Sequence, residues 1–160
     1  CEQDRDCQVI VLAAAGRAFC AGDELGREEH PEEAWSRGNG PVEHYAEGPG
    51  RWTRAVHLMR RLPQPVVTRI QGYAYGAGFN LVLGSDFRVM ASDALLCTPF
   101  VKRGLATGTN LLQQYVGNGK AMQITMLAGP VTADEAWTLE AIQEGARPAA
   151  PAPRPASSTE

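Results

Sequence analysis

The sequence predicts an α/β fold in which buried strands alternate with crossover helices. Two observations point to it. Gln8 to Ala14 and Val66 to Ile70 are apolar runs without alternation, the pattern of parallel strands buried on both faces. Between them, Arg51 to Leu62 has helical periodicity. Trp52, Ala55, Val56, Met59 and Leu62 share one face, and Arg51, Arg54, Arg60 and Arg61 lie mostly elsewhere.

Taken in order, the first strand runs straight into a glycine-rich segment, Gly16-Arg17-Ala18-Phe19-Cys20-Ala21-Gly22-Asp23-Glu24-Leu25. Residues 26 to 50 are polar and rich in Gly, Pro and Glu, with room for a helical turn at Pro31–Arg37. Connections of this length in compact domains are often functional. Pro63 and Pro65 end the amphipathic helix. The second strand runs into a second glycine segment, Gly72-Tyr73-Ala74-Tyr75-Gly76-Ala77-Gly78-Phe79-Asn80. Phe79 to Gly84 fits a short helix, and Phe87–Ala91 and Ala94–Cys97 fit two short strands. Thr109–Val116 and Lys120–Leu127 read as helices separated by Gly117-Asn118-Gly119. Thr132-Ala133-Asp134-Glu135 is a capping box that opens a helix of roughly ten residues. From Gly145 onward, with Pro148, Pro151, Pro153 and Pro155, the composition cannot bury a core. The expected organisation is a partial core over residues 1–144 and an Ala/Pro-rich disordered tail over 145–160.

Composition narrows the function. A chain of 160 residues with 44% apolar and 21% charged residues can bury one real core. The net charge is −3 and both signs are interspersed, which gives no footprint for nucleic acid. No apolar run reaches the ~18 residues that cross a membrane. The four cysteines, Cys1, Cys7, Cys20 and Cys97, form no Cys-x-x-Cys pair, and His30, His44 and His57 are dispersed, so metal-site spacing is absent. Free thiols in a reducing, cytoplasmic compartment are the expectation, with a Cys1–Cys7 disulfide as the alternative.

The two glycine segments stand at the carboxyl ends of strands, where α/β folds bind ligands. They suit an oxyanion hole for a thioester. Backbone N–H groups can be aimed at an oxygen only where the chain turns sharply, and glycine permits that. A helix starting after Gly78 would add its positive end. A dinucleotide fingerprint fails because Leu81 stands at its third glycine, and no phosphate loop or Gly-x-Ser-x-Gly elbow is present. Tight turns serving close packing remain the other reading of these segments.

The two segments and several shorter stretches C-terminal to them resemble the crotonase superfamily, also called the enoyl-CoA hydratase/isomerase family. The matching stretches are Val9-Ile10-Val11-Leu12 into Ala18 to Leu25, and Pro65-Val66-Val67 into Gly72 to Gly78. Further along are Ser85-Asp86-Phe87-Arg88-Val89, Pro99 with Gly104-Leu105, Val116-Gly117 with Lys120-Ala121, and Ala133-Asp134-Glu135-Ala136. The likeness covers about residues 7–139. It implies a spiral of repeated strand–strand–helix turns, assembled as homotrimers or hexamers. It implies an acyl-CoA substrate, with coenzyme A as part of that substrate and no separate cofactor. The amides of Asp23 and Ala77 would be the oxyanion donors. Ala77 stands where the family commonly has glycine, which is tolerable if its φ is ordinary. Ala21, Glu24, Leu25 and Gly26 would line the coenzyme A site. Gly76, Asn80, Phe100 and Gly104 would be further substrate-binding residues.

By the same resemblance, hydratases of the family hold a water with two glutamates. Asn80 and Phe100 stand at those positions. Asn takes no proton at neutral pH and Phe has none to exchange. The implied chemistry is therefore isomerase, lyase or thioester hydrolase rather than ordinary hydration. The alternatives are a non-catalytic acyl-CoA binder and an incomplete, inactive domain. Remaining acid–base candidates are Asp23, Glu24, His57 on the apolar-leaning side of the Arg-rich helix, His44, Tyr45, Thr107 and Thr109, whereas Asp86 reads as a brace at a strand start. The chain also reads as cut short at both ends, with the family's C-terminal helices missing.

Overall fold

A computed structural model describes residues 4, 6–22, 51–104 and 111–142. Among these, six strands lie in two sheets. The first sheet is β1 (Ile10–Leu12), β2 (Val66–Ile70) and β4 (Phe87–Met90), all parallel, in that order. The second is β3 (Tyr73–Tyr75), parallel to β5 (Leu95–Cys97), which is antiparallel to β6 (Val131–Thr132). Cys20 adds an isolated parallel bridge to Ala74 on β3.

The helices are α1 (Arg51–Met59), α2 (Ala77–Gly84), α3 (Leu111–Leu127) and α4 (Ala133–Thr138). The chain repeats one unit. β1, the Cys20 bridge and α1 make a first turn; β2, β3 and α2 a second; β4, β5 and α3 a third. The second and third turns each give one strand to each sheet and then cross back by a helix, and the first gives β1 to one sheet and the Cys20 bridge to the other. This is the strand–strand–helix spiral that the resemblance implied, on the right-handed α/β logic of parallel crossovers.

The core lies between the sheets and the helices. Val56, Ile70, Ala74, Phe79, Val82, Leu83, Leu96 and Ile124 are among its buried members. α1 docks on α2 where Gly84 leaves no Cβ; one there would sit 3.1 Å from Val56 Cγ1. Trp52, Ala55, Val56, Met59 and Leu62 are buried or half-buried as expected, while Arg54, Arg60 and Arg61 are exposed.

Several boundaries differ from expectation. β1 is shorter than Gln8–Ala14, and it is not buried on both faces: Val11 is 64% exposed, and β1 is an edge strand paired only with β2 among the described residues. α1 ends at Met59 and tightens into Arg61 N–H to Leu58 O (3.0 Å) and Leu62 N–H to Met59 O (3.4 Å), before Pro63. The second glycine segment holds strand β3, which was read as loop, and β6 was not foreseen at all. The break expected between two helices at Gly117 is present: α3 is interrupted there by a non-helical backbone (φ 73°, ψ 162°). The capping box holds: Glu135 N–H donates to Thr132 Oγ1 (3.3 Å) and Thr132 N–H to Glu135 Oε2 (3.3 Å). α4 has six residues rather than ten. Glu140 takes φ 55° and Ala141 N–H returns to Ala136 O (2.9 Å), a Schellman-type stop. The tail from 145 to 160 lies outside the described residues, as does the helical turn expected at Pro31–Arg37.

Candidate active site

The glycine segments meet. Along Phe19 to Cys20 the first one runs beside β3: Cys20 N–H donates to Tyr73 O (3.1 Å) and Tyr75 N–H to Cys20 O (2.9 Å). Gln71 fastens the start of that segment with Nε2 donating to Ala14 O (2.7 Å). At Gly72 (φ +62°) an added Cβ would overlap the carbonyl oxygen of Arg17. At Gly22 (φ +98°) it would lie 2.9 Å from Tyr75 O and 3.6 Å from Ala77 N. Glycine is needed at both, for the positive φ and for the close approach.

Gly76 turns the chain from β3 into α2 with φ 56°. Its own N–H is taken by Cys97 O (2.9 Å), and its carbonyl accepts from Asn80 N–H (3.2 Å). Ala77 is the first residue of α2. Among the described residues no acceptor takes its N–H, as expected for a first-turn amide. Among the described residues, positive φ values of non-glycine residues fall at Ala128 and Glu140 and not at Ala77, so the condition set for an alanine there is met. Gly22 thus brings the end of the first segment against the Ala77 amide, at the positive end of α2.

Phe100 lies in a 3-10 turn, Pro99–Arg103, which comes after β5 and closes on Gly104 in the left-handed region (φ 68°). Phe100 is 6% exposed, and its Cε1 and Cζ lie 3.9 Å from where a Cβ of Gly76 would be. An apolar ring therefore covers the turn that presents the Ala77 amide. Asn80, one turn into α2, is 2% exposed. The remaining buried polar side chains among the described residues are Thr68, Ser85, Arg88 and Thr98, and none of these is a carboxylate or histidine.

Other candidates take structural places. Asp86 Oδ2 accepts Val66 N–H (2.7 Å), bracing the start of β2. His57 is exposed rather than on the apolar side of α1, because it comes after Val56 by about 100° around the helix. Ala21 is exposed and immediately precedes Gly22. Asp23, Glu24, Leu25, Gly26, His44, Tyr45, Thr107 and Thr109 lie outside the described residues. Cys7, Cys20 and Cys97 are free thiols. Burial, partly offset by Lys102, pushes the Cys97 thiol above its usual range. Burial, with Cys97 and Tyr73 nearby, does the same to the Tyr75 hydroxyl. Sequence reasoning missed Cys20 as the residue that joins the two segments; its small size between Phe19 and Gly22 was the available signal.

Among the described residues no helix is long and apolar enough to cross a membrane. The model of the enoyl-CoA hydratase/isomerase family matches residues 1–144. The chain is 33% identical over 140 residues to the 1,2-epoxyphenylacetyl-CoA isomerase of Escherichia coli, covering 84% of this chain and 51% of that protein. It superposes on a crystal structure of an enoyl-CoA hydratase from Mycobacterium smegmatis with TM-score 0.74 and 32% identity, over 88% of this chain and 52% of that one. An enoyl-CoA hydratase structure from Bacillus anthracis gives TM-score 0.73 and 27% identity, over 88% and 53%. The chain spans about half the length of the curated relatives it matches.

Proposed function

The chain belongs to the enoyl-CoA hydratase/isomerase family, and from that premise we propose that it binds an acyl-coenzyme A thioester and polarises the thioester carbonyl with backbone N–H groups. The observation that carries this reading is Gly22 packed against the amide of Ala77. Ala77 supplies one donor, and Asp23, the residue after Gly22, supplies the other. Both would point at an oxygen that gains negative charge when the α-carbon loses a proton or the carbonyl carbon is attacked. A donor of this kind typically contributes about 3–4 kcal/mol to the transition state. Ala21, Glu24, Leu25 and Gly26 would hold the coenzyme A portion, and Gly76, Asn80, Phe100 and Gly104 the acyl end.

The proton chemistry beside the hole differs from hydration. General acid–base assistance is worth about 10²–10⁴-fold per group, and Asn80 and Phe100 supply none. The Phe100 ring against Gly76 supports this reading, since an apolar side chain there gives a water no proton-transfer partner. Isomerase, lyase or hydrolase turnover fits better, and the name of the E. coli relative, an acyl-CoA isomerase, supports the first of these. Family membership supports a homotrimer or hexamer working in acid or lipid catabolism in the cytoplasm. A scan of acyl-CoAs tests the reading. Saturable turnover of at least one, with crotonyl-CoA hydrated far below ordinary enzymatic rates, is expected. Rapid crotonyl-CoA hydration would overturn the exclusion of hydratase chemistry.

A second reading rests on the same two residues. With Asn80 and Phe100 in place of acids, the protein binds acyl-CoA without turning it over. Calorimetric binding with no turnover across the scan would select it. Absence of binding, together with a non-cooperative melt, would select an incomplete domain instead.

A further inference from the structure

We propose that the outer face of the first sheet is the contact through which two copies of this chain pair about a two-fold axis. The proposal stands apart from the thioester reading and takes nothing from it.

Parallel register builds the face. Val11 on β1 pairs with Val67 on β2, and Val67 with Phe87 on β4, so the three side chains form one row across the sheet. The alternate residues Val66, Thr68, Ile70, Arg88 and Met90 are buried on the core side. The row therefore lies on the side away from the core. Val11 is 64% exposed and Phe87 53%, and Val9, two residues before Val11, is 51% exposed. Val67 and Val89 are half-buried. Parallel sheets are ordinarily covered on both faces. These side chains leave open on the order of 300 Å² of apolar surface, which is large for a chain that stands alone.

Charge selects a second copy as the occupant. Arg69 is exposed on this face, two residues after Val67 toward the carboxyl end of β2. Asp86 is exposed at the amino end of β4, directly before Phe87. A two-fold axis lying along the apolar row reverses the strand direction of the second copy. It sets Val11, Val67 and Phe87 against their own counterparts and carries Arg69 to the end of the sheet where the partner's Asp86 stands. Facing sheets pack about 10 Å apart, a gap that an arginine is long enough to cross. Symmetry makes the pair twice. A two-fold axis along the strands would instead set Arg69 against the partner's Arg69. The face thus complements itself, with an apolar middle and opposite charges at its two ends. Since apolar area is rather more than half of a usual interface, two such faces bury on the order of 1,000 Å² in all, the low end for a specific contact. The expected dissociation constant is micromolar rather than nanomolar.

The test is sedimentation velocity of the full chain from about 1 to 100 μM. A two-fold contact builds even-numbered assemblies, a dimer alone or a hexamer from two trimers. Wild type is expected to form one of these and to dissociate in the micromolar range. Phe87→Asp and Val11→Lys put charge into the row and are expected to raise the dissociation constant about 10²-fold or more, because each change enters the contact twice. Arg69→Glu is expected to raise it about tenfold. Leu127→Asp, at an exposed apolar residue of α3 away from this sheet, is expected to leave it unchanged. Circular dichroism reports whether each variant folds. Val11→Lys, on an open edge strand, carries the test if Phe87→Asp does not fold, and Arg69→Glu decides if neither does. An even-numbered assembly lost in a folded row variant and kept in Leu127→Asp supports the contact. A wild type that stays monomeric or trimeric at the highest concentration overturns it. So does an assembly that the folded variants leave intact, or one that Leu127→Asp disrupts equally. None of these outcomes bears on the thioester reading, which acyl-CoA binding tests separately.

Discussion

Cys97 shows how burial shapes a single side chain. The thiol is 5% exposed, donates to Ala128 O (3.5 Å) and is held in its protonated form by its surroundings. A pKa raised on folding means that the folded chain holds the proton more tightly than the unfolded one. The associated stability is complete below the ordinary thiol range and is lost as pH climbs through the raised value. Stability should therefore fall above about pH 9, and fall less in Cys97→Ala, when urea midpoints are tracked from about pH 7 to 10. Tyr75 acts with the same sign at higher pH, so the Cys97→Ala difference isolates the thiol. In the folded state at neutral pH, Cys97 should resist a disulfide-exchange reagent that labels Cys7. Three residues named from the sequence as candidate site residues stand close together in the fold. They are Gly76, Ala77 and Phe100, with the Phe100 ring against the Gly76 turn that leads into Ala77. His57 was misjudged because a residue next to an anchor of an apolar face points about 100° away from it.

At the scale of elements, local chemistry and tertiary pairing divide the outcome. The Thr132 capping box was readable because a hydroxyl and a carboxylate at that spacing satisfy two orphan amides within one turn. Thr132→Ala should lower stability by about 1 kcal/mol, read as a shift in the denaturation midpoint with an unchanged slope. Thr132→Ser should recover most of it. The kink at Gly117 was readable for a similar reason, since the Gly117-Asn118-Gly119 interruption admits a backbone conformation that few other residues adopt. β3 and β6 were not readable. They have three and two residues, carry no periodicity of their own, and exist because β5 offers each a partner. β1 was too generous for the opposite reason: an apolar run reports burial only where something packs on it, and Val11 has one face open.

The whole molecule depends on contacts that close the spiral. Arg88 on β4 is 2% exposed. It donates from Nε to Ala141 O (2.7 Å) and from Nη1 to Ser85 O (2.5 Å), and its guanidinium lies 4.3 Å from the centre of the Tyr115 ring. The Tyr115 hydroxyl in turn donates to Leu83 O (3.0 Å). One buried cation thus ties the first sheet, α2, α3 and the turn after α4. Arg88→Ala would strip buried carbonyls of their donor and should destabilise the fold by about 3 kcal/mol or more, measured by urea unfolding. An α/β plan with crossover helices was legible in the order of strands, glycine turns and helices, whereas the strand–strand–helix spiral was implied only by the family resemblance. Its closure through Arg88 was not legible, because the partners are backbone carbonyls far along the chain. The proposed chemistry stands or falls with the Ala77 amide, at the start of α2, polarising a thioester carbonyl. The most direct measurement is isotope-edited infrared spectroscopy of a carbonyl-labelled acyl-CoA bound to wild type and to Ala77→Pro. Proline is tolerated at the first position of a helix and removes only the N–H. A carbonyl band moved to lower frequency by wild type and returned to its free value by Ala77→Pro, with affinity retained, is the predicted result. A carbonyl band that wild type leaves at its free-ligand frequency would contradict the claim.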